Sequence, residues 1–318
     1  MTYMGDGDVI ARLTSPEVTA TSWHMLLAIP FPDLSPTLVE IPLGFATLPI
    51  RWYALAYIAG IVFGVWLAGR AIARAPLWKD NSPAMTKEQL DDFTTWLIIG
   101  IILGGRLGYV LFYEPAYFLA NPGKILQVWN GGMAFHGGFL GVAIAGLIFA
   151  WKHSISIPKL ADLAALCAPA GLLFGRVANF INAELWGRPT DMPWGVIFLG
   201  ARAQDCPGIE GLCARHPSQL YEAGLEGLVL GIALIWLAFA RGWLKTPGAI
   251  CGVFLAGYGA ARFFVEFYRV ADEQYITPDN PLGRVLFLGD FGLSMGQLLS
   301  TPMILVGVAF LILARRHA

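Results

Sequence analysis

Apolar runs about as long as a bilayer is thick recur along this chain, and short polar stretches between them hold most of its charge. A helix needs roughly 20 apolar residues to cross the hydrocarbon, because every backbone group there must be hydrogen-bonded within the segment. Seven stretches fit, at approximately 53–72, 93–112, 133–151, 163–181, 221–240, 248–268 and 295–314. The pattern predicts an all-α, polytopic membrane protein with about seven transmembrane helices. No fixed-period repeat, low-complexity tract or second domain interrupts it, so 1–318 reads as a single membrane-embedded domain.

Basic residues set the expected orientation. Arg70, Arg74, Lys79 and Lys87 lie between the first two helices, and Lys152, Lys159, Arg241, Lys245, Arg315 and Arg316 fall on the same side. By the positive-inside rule that side is cytoplasmic, which puts the amino terminus outside and the carboxy terminus inside. Residues 1–50 then form an outer amino-terminal segment. Within it, the apolar and aromatic stretch 23–31 contains Pro30, is too short to span, and suits an interfacial element. The segment has no basic region, compact apolar core and small-residue cleavage site in succession, so the first helix is expected to serve as the targeting signal. Residues 184–219, rich in Gly, Pro and charge, are expected as an outer extramembrane excursion.

Composition agrees with the pattern: 56% of residues are hydrophobic and 14% charged, and the mean hydropathy is +0.61, too apolar for an ordinary soluble domain. A net charge of −1 supplies no basic patch for nucleic acid. Cys167 and Cys251 lie in apolar helices and read as small buried residues, whereas Cys206 and Cys213 share an outer loop where a disulfide or two unpaired thiols would fit.

Charge inside these helices is expensive and calls for a partner or a wet cavity. Arg106, Arg176 and Arg262 each fall in a helix running outward, in its outer half, and the oppositely directed helices begin at that level with Arg51, Tyr53, His136, Tyr221 and Glu222. Such a layer predicts a functional cavity toward the outer leaflet. Arg106, Tyr109 and Tyr113 share one helix face, as do Tyr258, Arg262 and Glu266. The first trio reads as a cavity wall or as a snorkelling arginine with a tyrosine belt. The second reads as a cavity wall, a packing ion pair, or both. In GRVANFINAELWGRP (175–189), Arg176 and Asn179 stand one turn apart; a guanidinium fork suits phosphate oxygens, and an amide suits a neighbouring hydroxyl or ester oxygen. Asn182 and Glu184 follow, and Gly187 with Pro189 turns the chain. In NGGMAFHGGFLG (130–141), His136 sits among glycines as a proton acceptor or a structural hydrogen-bonder. No second histidine at i+4 and no Cys/His cluster accompanies it, which argues against a metal site. His216, ahead of Pro217 and Ser218, is expected to cap the fifth helix.

These motifs carry a resemblance. IRWY (50–53), FHGGFLG, GRVANFINAELWGRP, RHPSQLYE (215–222), GYGAARFFVEFYR and GDFGLSMGQLLSTPM (289–303) occur in an order that resembles the phosphatidylglycerol:prolipoprotein diacylglyceryl transferase family. Coverage is nearly the whole chain, and the pattern from Gly175 to Gly187 is long and specific. The resemblance implies a multi-pass enzyme of the bacterial cytoplasmic membrane. It would move the diacylglyceryl group of phosphatidylglycerol onto the lipobox cysteine of prolipoprotein peptides, releasing glycerol phosphate, and would need no metal or cofactor. It also implies binding or catalytic parts for Tyr53, His136, Arg176, Asn179, Glu184, Gly187, Tyr258 and Arg262; Arg106, Asn182 and Glu266 join the candidate site by position. Arg176 and Arg262 would hold the lipid phosphate, His136 would take the thiol proton or merely hold the glycine-rich turn, and Asn179 and Tyr53 would orient the head group. The competing readings are a lipid or small-molecule transporter, which ordinarily needs polar groups reaching both faces, and a structural scaffold whose arginines only join helices.

Overall fold

The structure, a computed structural model, describes residues 28–42, 47–209, 211–288 and 291–316. Of the interfacial stretch 23–31, all but its last residues therefore lies outside the described residues.

Each apolar stretch becomes a helix: α1 (Trp52–Ile72), α2 (Lys87–Phe112), α3 (Phe135–Lys152), α4 (Ile157–Ile181), α5 (Ser218–Phe239), α6 (Ala249–Val265) and α7 (Met295–Arg316). Among the described residues, α1, α2, α4, α5 and α7 are long and apolar enough to cross a membrane; α3 and α6 are shorter apolar helices. The chain is a multi-pass membrane protein. α6 stops short of the predicted 248–268 for a local reason. Gly248 has φ 90°, outside the helix, and beyond Val265 the chain turns so that the Tyr268 carbonyl accepts the Arg188 N–H at 2.8 Å.

The expectation of an all-α chain needs one correction, because three two-stranded sheets accompany the helices. β1 (Ile29–Pro30) pairs parallel with β4 (Val196–Ile197); β2 (Thr37–Pro42) and β3 (Thr47–Arg51) form an antiparallel pair that delivers the chain to α1; β5 (Arg284–Leu288) and β6 (Phe291–Ser294) do the same for α7. The second pair gave no alternating signal, because both faces of β2 are exposed and no residue there is sorted inward.

By its contacts the chain divides into two units. One comprises residues up to Val62, Ala168–Ile232 and Leu255–Val308; the other comprises Phe63–Cys167, Ala233–Phe254 and the residues from Ala309. In the second unit, α2 begins with a capping box: Gln89 N–H donates to Thr86 Oγ1 (3.2 Å) and Thr86 N–H to Gln89 Oε1 (2.9 Å). α2 then lies against α3 along glycines four residues apart, Gly100, Gly104 and Gly108, which meet Gly137 and Gly141. A Cβ at Gly104 would collide with the Gly137 carbonyl and lie 2.8 Å from Gly141 Cα, so the backbones are in contact. Beside this seam α2 bears exposed Ile99, Leu103 and Leu107, as a lipid-facing side should. In the same unit the buried Asp162 carboxylate accepts the N–H groups of Gly248 (2.6 Å) and Cys251 (2.8 Å), satisfying donors at the start of α6.

Candidate active site

The first unit gathers its charge around one carboxylate. Glu222, fully buried on α5, receives Arg176 Nε of α4 at 2.8 Å, Arg262 Nη1 of α6 at 2.6 Å and Arg269 Nη1 at 2.5 Å. Arg262 Nη2 also meets Glu266 Oε2 at 2.9 Å, and Ser294 Oγ donates to the other Glu266 oxygen at 3.1 Å. Burying a carboxylate costs several kcal/mol unless charged donors replace water, and here three guanidiniums do so. The arginines remain reachable: their side chains are 22%, 18% and 17% exposed for Arg176, Arg262 and Arg269. Partly exposed arginines held in place by buried carboxylates can act as a preorganised anion site.

A polar chain extends from Arg176. Its Nη1 donates to Asn179 Oδ1 at 3.4 Å, and Asn179 Nδ2 donates to the Tyr53 hydroxyl and, at 2.8 Å, to Glu184 Oε1. Glu184 is brought back over the helix end by backbone that only a few side chains tolerate, with Ala183 at φ 52° and Leu185 at φ 57°, and its N–H donates to the Asn179 carbonyl at 3.1 Å. Asn182, at the helix exit, has a buried Oδ1 with no hydrogen-bond partner among the described residues. Tyr258, half-buried one turn before Arg262, stands in the field of Glu226, Arg262, Arg176 and Glu222. Gly187 sits where three strands of chain cross: its N–H donates to the His216 carbonyl at 2.8 Å, and a Cβ would lie 2.8 Å from both His216 Cβ and that carbonyl oxygen. No larger residue fits there without moving backbone.

Cys206 and Cys213 are joined in a disulfide. Arg215, buried and stacked on Trp186 at 4.0 Å, donates to the carbonyls of Ala203 (2.5 Å), Asp205 (2.8 Å) and Gly187 (3.3 Å). His216 does not cap the fifth helix as expected. Pro217 occupies the cap position without a side-chain bond, and the imidazole Nδ1 instead meets the Tyr221 hydroxyl at 3.0 Å, which also accepts Trp194 Nε1–H at 2.9 Å. Burial holds the His216 pKa below its ordinary value.

Arg106 and His136 belong to the other unit. Arg106 is buried, and all five of its N–H donors are spent on carbonyls: Nε on Ile125 (2.8 Å), Nη1 on Gly131 (2.5 Å) and Gly132 (3.1 Å), Nη2 on Lys124 (2.7 Å) and Gln127 (3.2 Å). A guanidinium saturated in this way ties down the connection ahead of α3, with all five N–H donors engaged by main-chain carbonyls. Tyr109 and Tyr113, on its helix face, stack at 5.5 Å. His136 is exposed in the first turn of α3. Among the described residues, no group of three His, Cys, Asp or Glu side chains could hold a metal ion.

The sequence model of the prolipoprotein diacylglyceryl transferase family matches residues 40–313. The chain belongs to this family. It is 61% identical to the phosphatidylglycerol–prolipoprotein diacylglyceryl transferase of Roseobacter denitrificans over 92% of its own length and 100% of that protein. It is 60% identical to the enzyme of that name from Ruegeria pomeroyi, over 92% and 99% of the two chains. For that of Rhizobium leguminosarum bv. trifolii the identity is 48%, over 94% and 98%.

In this family member, sequence reasoning put Glu222 in the polar layer yet missed that it is the hub. Glu222 and Glu226 stand at i and i+4 on α5, and Arg269 lies three residues past Glu266, so helical spacing would have added Glu226 beside Glu222 and Arg269 beside Glu266. Arg215 left no such signal, since its partners are backbone carbonyls of a loop.

Proposed function

We propose that this transferase moves the diacylglyceryl group of phosphatidylglycerol onto the lipobox cysteine thiol of a prolipoprotein peptide. The observation that carries the reading is the set of three partly exposed guanidiniums fixed by the buried Glu222, in a chain whose relatives bear that activity in their names. The cysteine sulfur attacks the glycerol carbon next to the phosphate, a carbon–sulfur bond forms, and the carbon–oxygen bond breaks with its electron pair on the departing phosphate oxygen. Glycerol phosphate leaves. Arg176 and Arg262 offset the charge that grows on that oxygen. Asn179, Tyr53 and Glu184 orient the head group, Tyr258, Asn182 and Glu266 line or brace the site, and Gly187 keeps the crossing behind it closed. The sulfur is competent as thiolate, so the thiol proton needs an acceptor, and His136 takes that part.

In this reading all seven apolar helices cross the bacterial cytoplasmic membrane, the amino terminus and residues 184–219 lie outside, the carboxy terminus is cytoplasmic, and the site opens to the outer leaflet. The charge asymmetry of the connections supports that orientation. So does the Cys206–Cys213 disulfide, which needs an oxidising compartment.

Purified protein incubated with phosphatidylglycerol and a lipobox peptide should yield a thioether-linked diacylglyceryl peptide by mass spectrometry; peptide returned unmodified in all conditions rejects the reading. His136→Gln, with lipid binding and transfer measured separately, tests the proton acceptor, and retained turnover removes it from that role.

A further inference from the structure

Glu226 is the one fully buried acidic side chain of α5 that the mechanism leaves unused. Both of its carboxyl oxygens are buried without a hydrogen-bond partner among the described residues, while Glu222, four positions earlier, holds three guanidiniums. It lies in a π-helical turn, Ala223–Val229, a distortion that often marks functional positions. The groups whose fields reach it are Glu222 of its own helix, Arg176 of α4, Arg262 and Tyr258 of α6, and Arg269 beyond α6. Glu266 is held by Arg262 and Arg269.

A buried carboxylate without hydrogen-bond donors stays ionised only while neighbouring positive charge offsets it, and it takes up a proton when another anion claims that charge. Charge counting gives this a consequence. Arg176, Arg262 and Arg269 carry three positive charges, and Glu222 and Glu266, which they hold, carry two negative ones. With Glu226 neutral the cluster keeps one positive charge, the complement of one phosphodiester anion; with Glu226 ionised it keeps none.

We infer that Glu226 is a positioning residue which holds a proton while the arginine cluster carries the lipid phosphate, and releases it when the anion leaves, so that anion binding and proton uptake are coupled at this site. The inference rests on the phosphatidylglycerol reading above and deepens it. The carboxyl acts through the arginines and touches no reacting atom. Binding of the anion raises the affinity of Glu226 for its proton, and by reciprocity loss of that proton lowers the affinity for the anion.

The test uses the full chain in detergent micelles with dispersed phosphatidylglycerol, peptide absent, and phosphatidylcholine as the uncharged control. Between roughly pH 6 and 9, affinity of the wild type for phosphatidylglycerol should fall as pH rises, with a limiting slope of about tenfold per unit for one linked proton. Calorimetry in buffers of different ionisation enthalpy should register up to one proton taken up per lipid bound. In Glu226→Gln the affinity should lose its pH dependence and the proton uptake should vanish. The wild-type proton count stands even if that variant does not fold. Phosphatidylglycerol binding with no proton uptake overturns the role of Glu226 alone, as does a variant whose pH profile parallels the wild type. No selective binding at any pH overturns the head-group reading and this inference with it.

Discussion

Arg106 in one unit and Arg262 in the other look alike in the sequence. Each lies inside an apolar helix, each shares a helical face with a tyrosine, and each is expected in the outer half of its helix. The structure separates them by what they hold. Arg106 spends five donors on main-chain carbonyls of a single connection, and its guanidinium is a fastener. Arg262 divides its donors between two carboxylates, one of them shared with Arg176 and Arg269, and keeps an exposed edge. Carbonyls fix a guanidinium and leave its charge local; carboxylates fix it and also set the net charge that an arriving anion meets. The difference between these two arginines therefore lies in the acceptors.

The largest effect expected is at the hub. Arg262→Ala should lower turnover by about 10²–10³, the usual cost of removing a charged donor from a developing oxyanion. It should also lower stability by about 3–5 kcal/mol, since Glu222 loses one of its buried partners. Adding Glu222→Gln should recover part of the stability and none of the turnover. Recovery of turnover in the double variant would make Arg262 a packing residue like Arg106. Next in size is Arg106→Gln, which should cost about 3 kcal/mol or more, because carbonyl acceptors lose charged donors worth about 1.5–3 kcal/mol each. Its folded fraction should bind phosphatidylglycerol within about twofold of wild type, because the Arg106 donors are spent on main-chain carbonyls. A stable Arg106→Gln protein with a strongly weakened lipid affinity would erase the contrast.

That contrast marks where the sequence was legible. All seven helices could be placed from hydropathy alone, since an apolar run of bilayer length has few other uses. The GRVANFINAELWGRP stretch announced Arg176, Asn179 and Glu184 as a group, and the structure joins them through 3.4 and 2.8 Å bonds. The role of Arg106 was not legible, because its partners are backbone carbonyls, which every residue supplies and no residue type advertises. The β2–β3 pair was hidden for a related reason: both faces of β2 are exposed, so no period-two pattern was written there. His216 was misread as a cap because the rule weighs the backbone of the first turn alone, whereas the Tyr221 hydroxyl, itself held by Trp194, offered its ring a partner.

A smaller effect compares the packing of the two regions. Gly104→Ala pushes a methyl group into the Gly137 carbonyl and should cost about 1–3 kcal/mol with lipid affinity unchanged in the folded protein. Gly187→Ala meets His216 and the Tyr268 carbonyl and should cost a similar amount, but with a loss of turnover as well, because the Glu184 side of the site is built on that crossing. Thermal unfolding in detergent alongside the transfer assay reads both quantities. Equal losses of turnover in the two variants would mean that the crossing has no bearing on the site.

The smallest effect expected is that of pH on His216, and its sign follows from burial. Desolvation lowers the His216 pKa in the folded protein below the value of 6.5 it has when exposed. The unfolded chain therefore binds this proton more readily than the folded one, so stability rises with pH across the interval between the lowered pKa and 6.5. The contribution is complete above that interval and is lost as pH falls through the folded-state pKa. The hydrogen bonds give the same direction: Tyr221 Oη accepts the Trp194 N–H and can pass its own hydrogen to His216 Nδ1, an arrangement that a protonated Nδ1 would oppose. Thermal unfolding midpoints measured from roughly pH 5 to 8 should show this slope in the wild type, and it should shrink in His216→Gln, which cannot titrate in that range. A slope of the same size in both proteins would assign the acid sensitivity to another group and leave the His216, Tyr221 and Trp194 contact as packing alone.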